Sequence, residues 1–151
     1  MSAQTPVPSL LCGFFEDYLA AQRDVSQNTI YAYRDACKLF LRFAARHRGR
    51  QVIRLQLADL GVDTVLAFLT YLESDRKNSA ATRNCRLVAI HRFFAYVADQ
   101  DPRYAELCRR VLDIPLRSLR PLPRMRTWRG VSRRRSLMFS CTISVARAPV
   151  L

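Results

Sequence analysis

The chain has 151 residues, half of them hydrophobic, with 25 Lys/Arg against 12 Asp/Glu and a formal net charge of +13. That length suits one domain with a modest core, and the composition excludes an intrinsically disordered chain. The charge is lopsided: residues 1–116 carry 16 Lys/Arg and all 12 acids, whereas residues 117–151 carry nine arginines and no acid. The basic isoelectric point therefore describes the tail more than the body and does not by itself argue for a nucleic-acid partner.

Residues 1–8 read as a disordered N-terminus, lacking the charged start and apolar run of a signal peptide. Ser9–Arg23 is predicted helical, with Leu11, Phe14, Phe15, Tyr18 and Leu19 on one side and Gly13 weakening it slightly. Ser26 stands where an N-cap belongs, opening a second helix that runs to about His47. On a period of about 3.6 residues, Ile30, Tyr33, Cys37, Phe40 and Ala44 share one face of it, and Gln27, Tyr31, Arg34, Lys38 and Arg42 share the other. A helix that packs on one face and aligns cations on the other suits a phosphate backbone. Arg48–Gly61 reads as looser, punctuated by Gly49 and Gly61 and anchored by Leu55, Leu57 and Leu60.

Asp63 is the expected N-cap of a third helix, with Val65, Leu66, Phe68, Leu69 and Leu72 as its apolar set; the polar stretch Glu73–Asn78 ends it. Ser79 caps a fourth helix through Ala98. Leu87, Ile90, Phe94 and Val97 line one face, with Val88, Phe93 and Tyr96 elsewhere, so it should be covered on most sides. Pro102 opens a fifth helix, Arg103–Leu112, and Pro115 stops it. No stretch before residue 116 alternates with period two. The expected fold is all-α: a compact bundle of four to five helices over residues 9–116, followed by an irregular, basic and disordered tail over 117–151.

Five cysteines without paired spacing and only two histidines, His47 and His91, make a metal site improbable and point to a reducing cytoplasm. The apolar stretch Val65–Leu72 falls far short of the ~20 residues that a membrane span needs. No cofactor, small-molecule ligand or membrane is expected as a partner.

Three segments in order, SQNTIYAYRDACKLFLRFA, LADLGVDTVLAFLTYLE and NSAATRNCRLVAIHRFFAYVA, resemble the N-terminal core-binding (SAM-like) domain of phage-integrase-type tyrosine recombinases from mobile elements. The first pattern is carried by Ser26, Thr29, Tyr33, Arg34, Asp35, Phe40 and Phe43, and the second by Ser79, Thr82, Arg86, Leu87, Phe93 and Phe94. The resemblance implies half of a clamp on double-stranded DNA, with the second and fourth helices at the major groove. Matched positions point to Thr29, Arg34 and Lys38 on one helix and Thr82, Arg83 and Arg86 on the other. Arg42, which continues the stripe, and Lys77, ahead of the fourth helix, complete the candidate DNA-binding set. Backbone N–H groups at the helix starts would add donors for phosphate oxygens.

In that family the chemistry is phosphoryl transfer to a tyrosine, performed by a separate catalytic domain. No tyrosine follows Tyr104 here, so no catalytic residue is assigned and the expectation is a non-enzymatic remnant. After Arg120-Pro121-Leu122 the tail reads as translation of a GC-rich gene in a shifted frame. An intact recombinase protomer is a second candidate partner. The plainer alternatives are a helical interaction module whose charged stripe is only a solvated face, and a small DNA-binding regulator. On the same plain reading, Tyr31 and His91 carry no role, and Phe14/Phe15, Phe40/Phe43 and Phe93/Phe94 are core.

Overall fold

Pro6, in extended conformation, ends the approach to α1 (Val7–Gly13), and the fully buried Val7 anchors it. The computed structural model describes residues 6–21 and 25–118. α1 starts two residues before the expected Ser9, so Val7 and Pro8 belong to the helix rather than to a frayed end. It continues as a π-helical stretch, Phe14–Leu19, instead of the regular helix foreseen. The wider turn lets Phe14 and Leu19, five residues apart, both bury fully while Phe15 and Tyr18 pack at the margin. Gly13 is more than a weak helix former: a Cβ there would strike the Tyr96 hydroxyl. Its missing side chain admits the fourth helix.

α2 (Gln27–Arg48) begins as expected, with Ser26 Oγ accepting from Thr29 N–H at 3.2 Å. Gly49 ends it at φ +62°, the left-handed conformation that favours glycine. Tyr33, Cys37, Phe40 and Ala44 are buried, and burial pushes the Cys37 thiol up to about 12. Among the described residues Cys12, Cys37 and Cys108 are unbridged thiols.

The segment read as loose is ordered by two 3₁₀ turns, Val52–Arg54 and Leu57–Leu60. Leu55, Leu57 and Leu60 are buried as expected. What the sequence hid is a polar fastening: Arg48 Nη2 donates to Thr64 Oγ1 at 2.9 Å, and that hydroxyl donates to the Asp59 carbonyl at 2.7 Å. The Asp59 carboxylate accepts from Gln56 N–H at 3.0 Å and pairs with Arg50 at 3.2 Å.

α3 (Val62–Ser74) is capped by the backbone of Gly61, not by Asp63, which lies in its first turn. An acid there still favours the helix N-terminus. Val65, Phe68, Leu69 and Leu72 are buried, whereas Leu66 is 46% exposed. At about 100° per residue, Leu66 turns away from the stripe that its neighbours form. α4 (Ala80–Gln100) runs two residues past the expected end and is buried on nearly every side, with ten buried residues from Arg83 to Val97. Asp101 caps a 3₁₀ turn, Pro102–Tyr104, in place of the first turn of the expected fifth helix. α5 (Ala105–Leu112) then buries Cys108 and Val111 against α4, and Ile114 closes the end. The five α-helices form an all-α fold with no strand among the described residues.

The aromatic core has two centres. Phe14 meets Phe93 at 5.7 Å and Phe93 meets Phe94 at 5.6 Å, joining α1 to α4. Phe40 meets Phe68 at 5.2 Å and Phe43 stacks on Tyr71 at 5.1 Å, joining α2 to α3. Phe68→Ala should destabilise the fold by about 3–5 kcal/mol in urea unfolding, because Phe68 has no exposed surface and its removal leaves a cavity. His91, on α4, has a buried Nε2 without a partner. Burial lowers its pKa from 6.5, and a hydrogen bond to the Val111 backbone partly offsets this. The fold therefore favours the neutral ring. Stability associated with His91 is present above pH 6.5 and declines as pH falls toward the lowered value. His91→Gln should flatten the pH dependence of Tm in that window; an unchanged profile would refute the assignment.

Candidate nucleic-acid interface

Side chains three and four residues apart stack along one side of a helix, and on α2 that spacing sets out the predicted cationic stripe. Gln27, Tyr31, Arg34, Lys38 and Arg42 are all exposed, Tyr31 at 53%. None of the three cations belongs to an ion pair among the described residues. They stand on a 22-residue helix fixed at both ends by a serine cap and a glycine cap. The helix axis holds the charges, so ligand binding need not order the backbone beneath them.

Thr29 and Thr82 occupy the same local motif. Ser26 Oγ lies 2.9 Å from Thr29 Oγ1, and Ser79 Oγ lies 3.1 Å from Thr82 Oγ1, while each serine also accepts from the threonine N–H at 3.2 Å. One backbone donor at each helix start is thus already used by the cap. The remaining first-turn N–H groups are the ones open to an outside acceptor.

The residues assigned on α4 separate. Arg83 is buried, with Nε 3.1 Å from Glu73 Oε1 and Nη1 donating to Asn84 Oδ1 at 3.3 Å. Burial lowers its pKa most, and Glu73 opposes that shift. Arg86 is half-buried, and its Nη1 is enclosed without an acceptor. Burial likewise lowers its pKa, the charge of Arg76 adds to the effect, and Asp35 and Tyr71 oppose it. Lys77 is exposed, with φ at +52°, the left-handed region uncommon outside glycine.

The fold brings part of this set together. α2 packs against α4, and Asp35, which sits one turn from both Tyr31 and Lys38, faces Arg86. Arg86 is thus coupled electrostatically to α2 through Asp35, while Arg83 turns inward to Glu73.

Sequence reasoning missed the polar hub behind Arg83. The Asn84 side-chain amide donates to the Arg117 carbonyl at 2.8 Å and accepts from its N–H at 3.0 Å. Arg117 Nη1 adds a contact to Glu73 at 3.1 Å. These partners are 33 residues apart or more, and nothing in local pattern announces them. Sequence reasoning also passed over the His-x-x-Arg spacing of His47 and Arg50. Both have local partners, His47 stacking on Phe43 at 5.5 Å and Arg50 pairing with Asp59. Among the described residues no group of three His, Cys, Asp or Glu is placed to hold a metal ion, and no helix is long and apolar enough to cross a membrane. The predicted tail, apart from Arg117 and Ser118, lies outside the described residues.

Glu73→Ala would leave the buried Arg83 guanidinium without its counter-charge. It should destabilise the fold by on the order of 3 kcal/mol, read by urea unfolding. Glu73→Gln should cost less, since it keeps a polar oxygen beside the guanidinium.

Comparison with known proteins matches the helical body. Residues 14–101 match the family model for the phage integrase N-terminal SAM-like domain. The chain is similar to two proteins of Sinorhizobium fredii (strain NBRC 101917 / NGR234). It is 40% identical over 117 residues to one named "Putative integrase/recombinase y4rD", covering 78% of this chain and 42% of that protein. It is 37% identical over 115 residues to one named "Putative integrase/recombinase y4rC", covering 76% of this chain and 35% of that protein. The chain thus spans well under half the length of these curated relatives. No solved structure matches it significantly. By the family match and by these relatives, the chain belongs to the phage integrase family through its N-terminal SAM-like domain.

Proposed function

We propose that the helical body, residues 9–116, binds double-stranded DNA as the N-terminal half of a recombinase clamp. Membership in the family supports a role in site-specific recombination. The observation that carries the reading is the row Arg34, Lys38 and Arg42: exposed, outside any ion pair among the described residues, and aligned on a helix whose other face is locked in the core. A phosphate backbone carries regularly spaced negative charge that such a row can neutralise, releasing counterions. The reading assigns duplex binding to this body and assigns it no part of the transfer chemistry.

Phosphate contacts of this kind position a protein without reading bases. The affinity expected for half a clamp is therefore micromolar or weaker, with little sequence discrimination, in the range of about 10⁻⁴–10⁻⁶ M typical of non-specific binding. In a complete clamp the other half would supply effective concentration on the same site.

The test is fluorescence anisotropy of the whole chain on a duplex of ~30 base pairs across a salt series. About four phosphate contacts correspond to a log–log slope near −4, and each lost contact should lower its magnitude by about 1. The triple variant Arg34→Ala, Lys38→Ala, Arg42→Ala should weaken binding and lower the magnitude of the slope by about 3. Unchanged affinity and slope in the triple variant would make the stripe a solvated face.

A further inference from the structure

Asn84, buried on the second turn of α4, grips a residue 33 positions further along the chain. Its Nδ2 donates to the Arg117 carbonyl at 2.8 Å. Its Oδ1 accepts from the Arg117 N–H at 3.0 Å and from Arg83 Nη1 at 3.3 Å. Most of the hydrogen-bonding capacity of a primary amide is thus used, and two of the bonds go to the two polar backbone groups of one residue. A grip on N–H and carbonyl takes no account of the side chain between them.

The gripped residue is set apart from the core that precedes it. Ile114 is buried, whereas Pro115, Leu116 and Arg117 are exposed. Neither Pro115 nor Leu116 forms a backbone hydrogen bond among the described residues. The Arg117 side chain adds little net hold. Its Nη1 and Arg83 Nε each stand 3.1 Å from the same oxygen, Glu73 Oε1, and the charge of Arg117 disfavours that of Arg83. One carboxylate between two guanidinium groups balances only one of them. Departure of Arg117 would leave Arg83 its counter-ion and remove a like charge. The Arg117 side chain is 61% exposed, a setting in which an ion pair contributes little. Lifting residue 117 away therefore costs two hydrogen bonds and little apolar burial, and water can reach the vacated amide.

We infer that Asn84 and the backbone of Arg117 form a releasable latch, which holds the departing chain on α4 and opens without unfolding the helical body. The latch accepts any residue at 117 that keeps its N–H, which is every residue except proline. It bears on whatever follows the body, and the curated relatives are more than twice as long as the stretch they share with this chain. It stands independently of duplex binding.

The test is native-state amide exchange of the whole chain, read by NMR over a series of low urea concentrations. The Arg117 N–H should exchange about 30-fold more slowly than its intrinsic rate, as two hydrogen bonds of ordinary net strength allow, with almost no urea dependence. The amides of Leu87 and Phe94 should be far better protected and follow urea with the slope of global unfolding. Arg117→Ala should keep the protection at residue 117 within about threefold of the parent. Asn84→Ala should abolish it and leave Leu87 and Phe94 protected. An Arg117 amide that exchanges at its intrinsic rate in the parent would overturn the latch. A urea slope equal to that of the core would also overturn it, by making residue 117 part of the cooperative body. Both of these readings use the parent alone and decide the matter even if Asn84→Ala does not fold. Protection that survives in Asn84→Ala, or that disappears in Arg117→Ala, would overturn the assignment to an amide gripping the backbone.

Discussion

The burial of α4 is the constraint to which the other elements answer. A helix with Leu87, Ile90, Phe94 and Val97 on one side and Val88, Ala89, Phe93 and Tyr96 on others cannot face water. Each neighbour supplies one wall. α1 closes from the Phe14 side through the gap left at Gly13, α2 and α3, joined to each other by aromatic pairs, both pack against it, and α5 seals the end with Cys108 and Val111. Once α4 is enclosed, the rotation of α2 about its own axis is set. Tyr33, Cys37 and Phe40 must look inward, and Arg34, Lys38 and Arg42 are left on the outside. The cationic stripe is the outer side of a packing requirement.

Electrostatics then divides the arginines by depth. On the outer face of α2, Arg34 and Arg42 are solvated, and their charge is available to any polyanion. On α4 the helix that carries them is sunk into the core, and each must find an internal answer. Arg83 has one in Glu73. Arg86 has none within hydrogen-bond reach among the described residues, and burial together with Arg76 disfavours its charge. Two arginines three residues apart on one helix therefore differ in kind: one is a structural counter-ion and the other keeps an enclosed nitrogen without an acceptor among the described residues.

Sequence periodicity made most of this readable, because amphipathic order and Ser-x-x-Thr caps are local signals. The inward and outward faces of α2, the start of α4 and the core aromatics could be named from spacing alone. The errors arose where a contact outweighed local preference. Asp63 is a better cap than glycine on propensity, but Thr64 is drawn into the hydrogen bonds with Arg48 and Asp59, and the helix starts earlier. Leu66 counted as apolar by type, whereas its side of α3 stays half exposed among the described residues. At the candidate site the outward cations of α2 were legible. The inward turn of Arg83 was not, since Glu73 lies in a segment that reads as a polar terminator.

The Asn84 amide clamp also sets a mechanical boundary. By gripping the backbone of Arg117 on both its N–H and its carbonyl, Asn84 ties the chain five residues beyond the end of α5 to the second turn of α4. The fixed path of the backbone therefore extends to Arg117 and does not stop at Leu112. Ile114 stays buried in the core, so at about 3.3 Å per extended residue releasing the clamp would lengthen the tether by roughly 10 Å. A lever arm of that size would dilute whatever the tether carries around the helical body and blur the angle at which it leaves. One amide thus acts as the hinge pin of the domain.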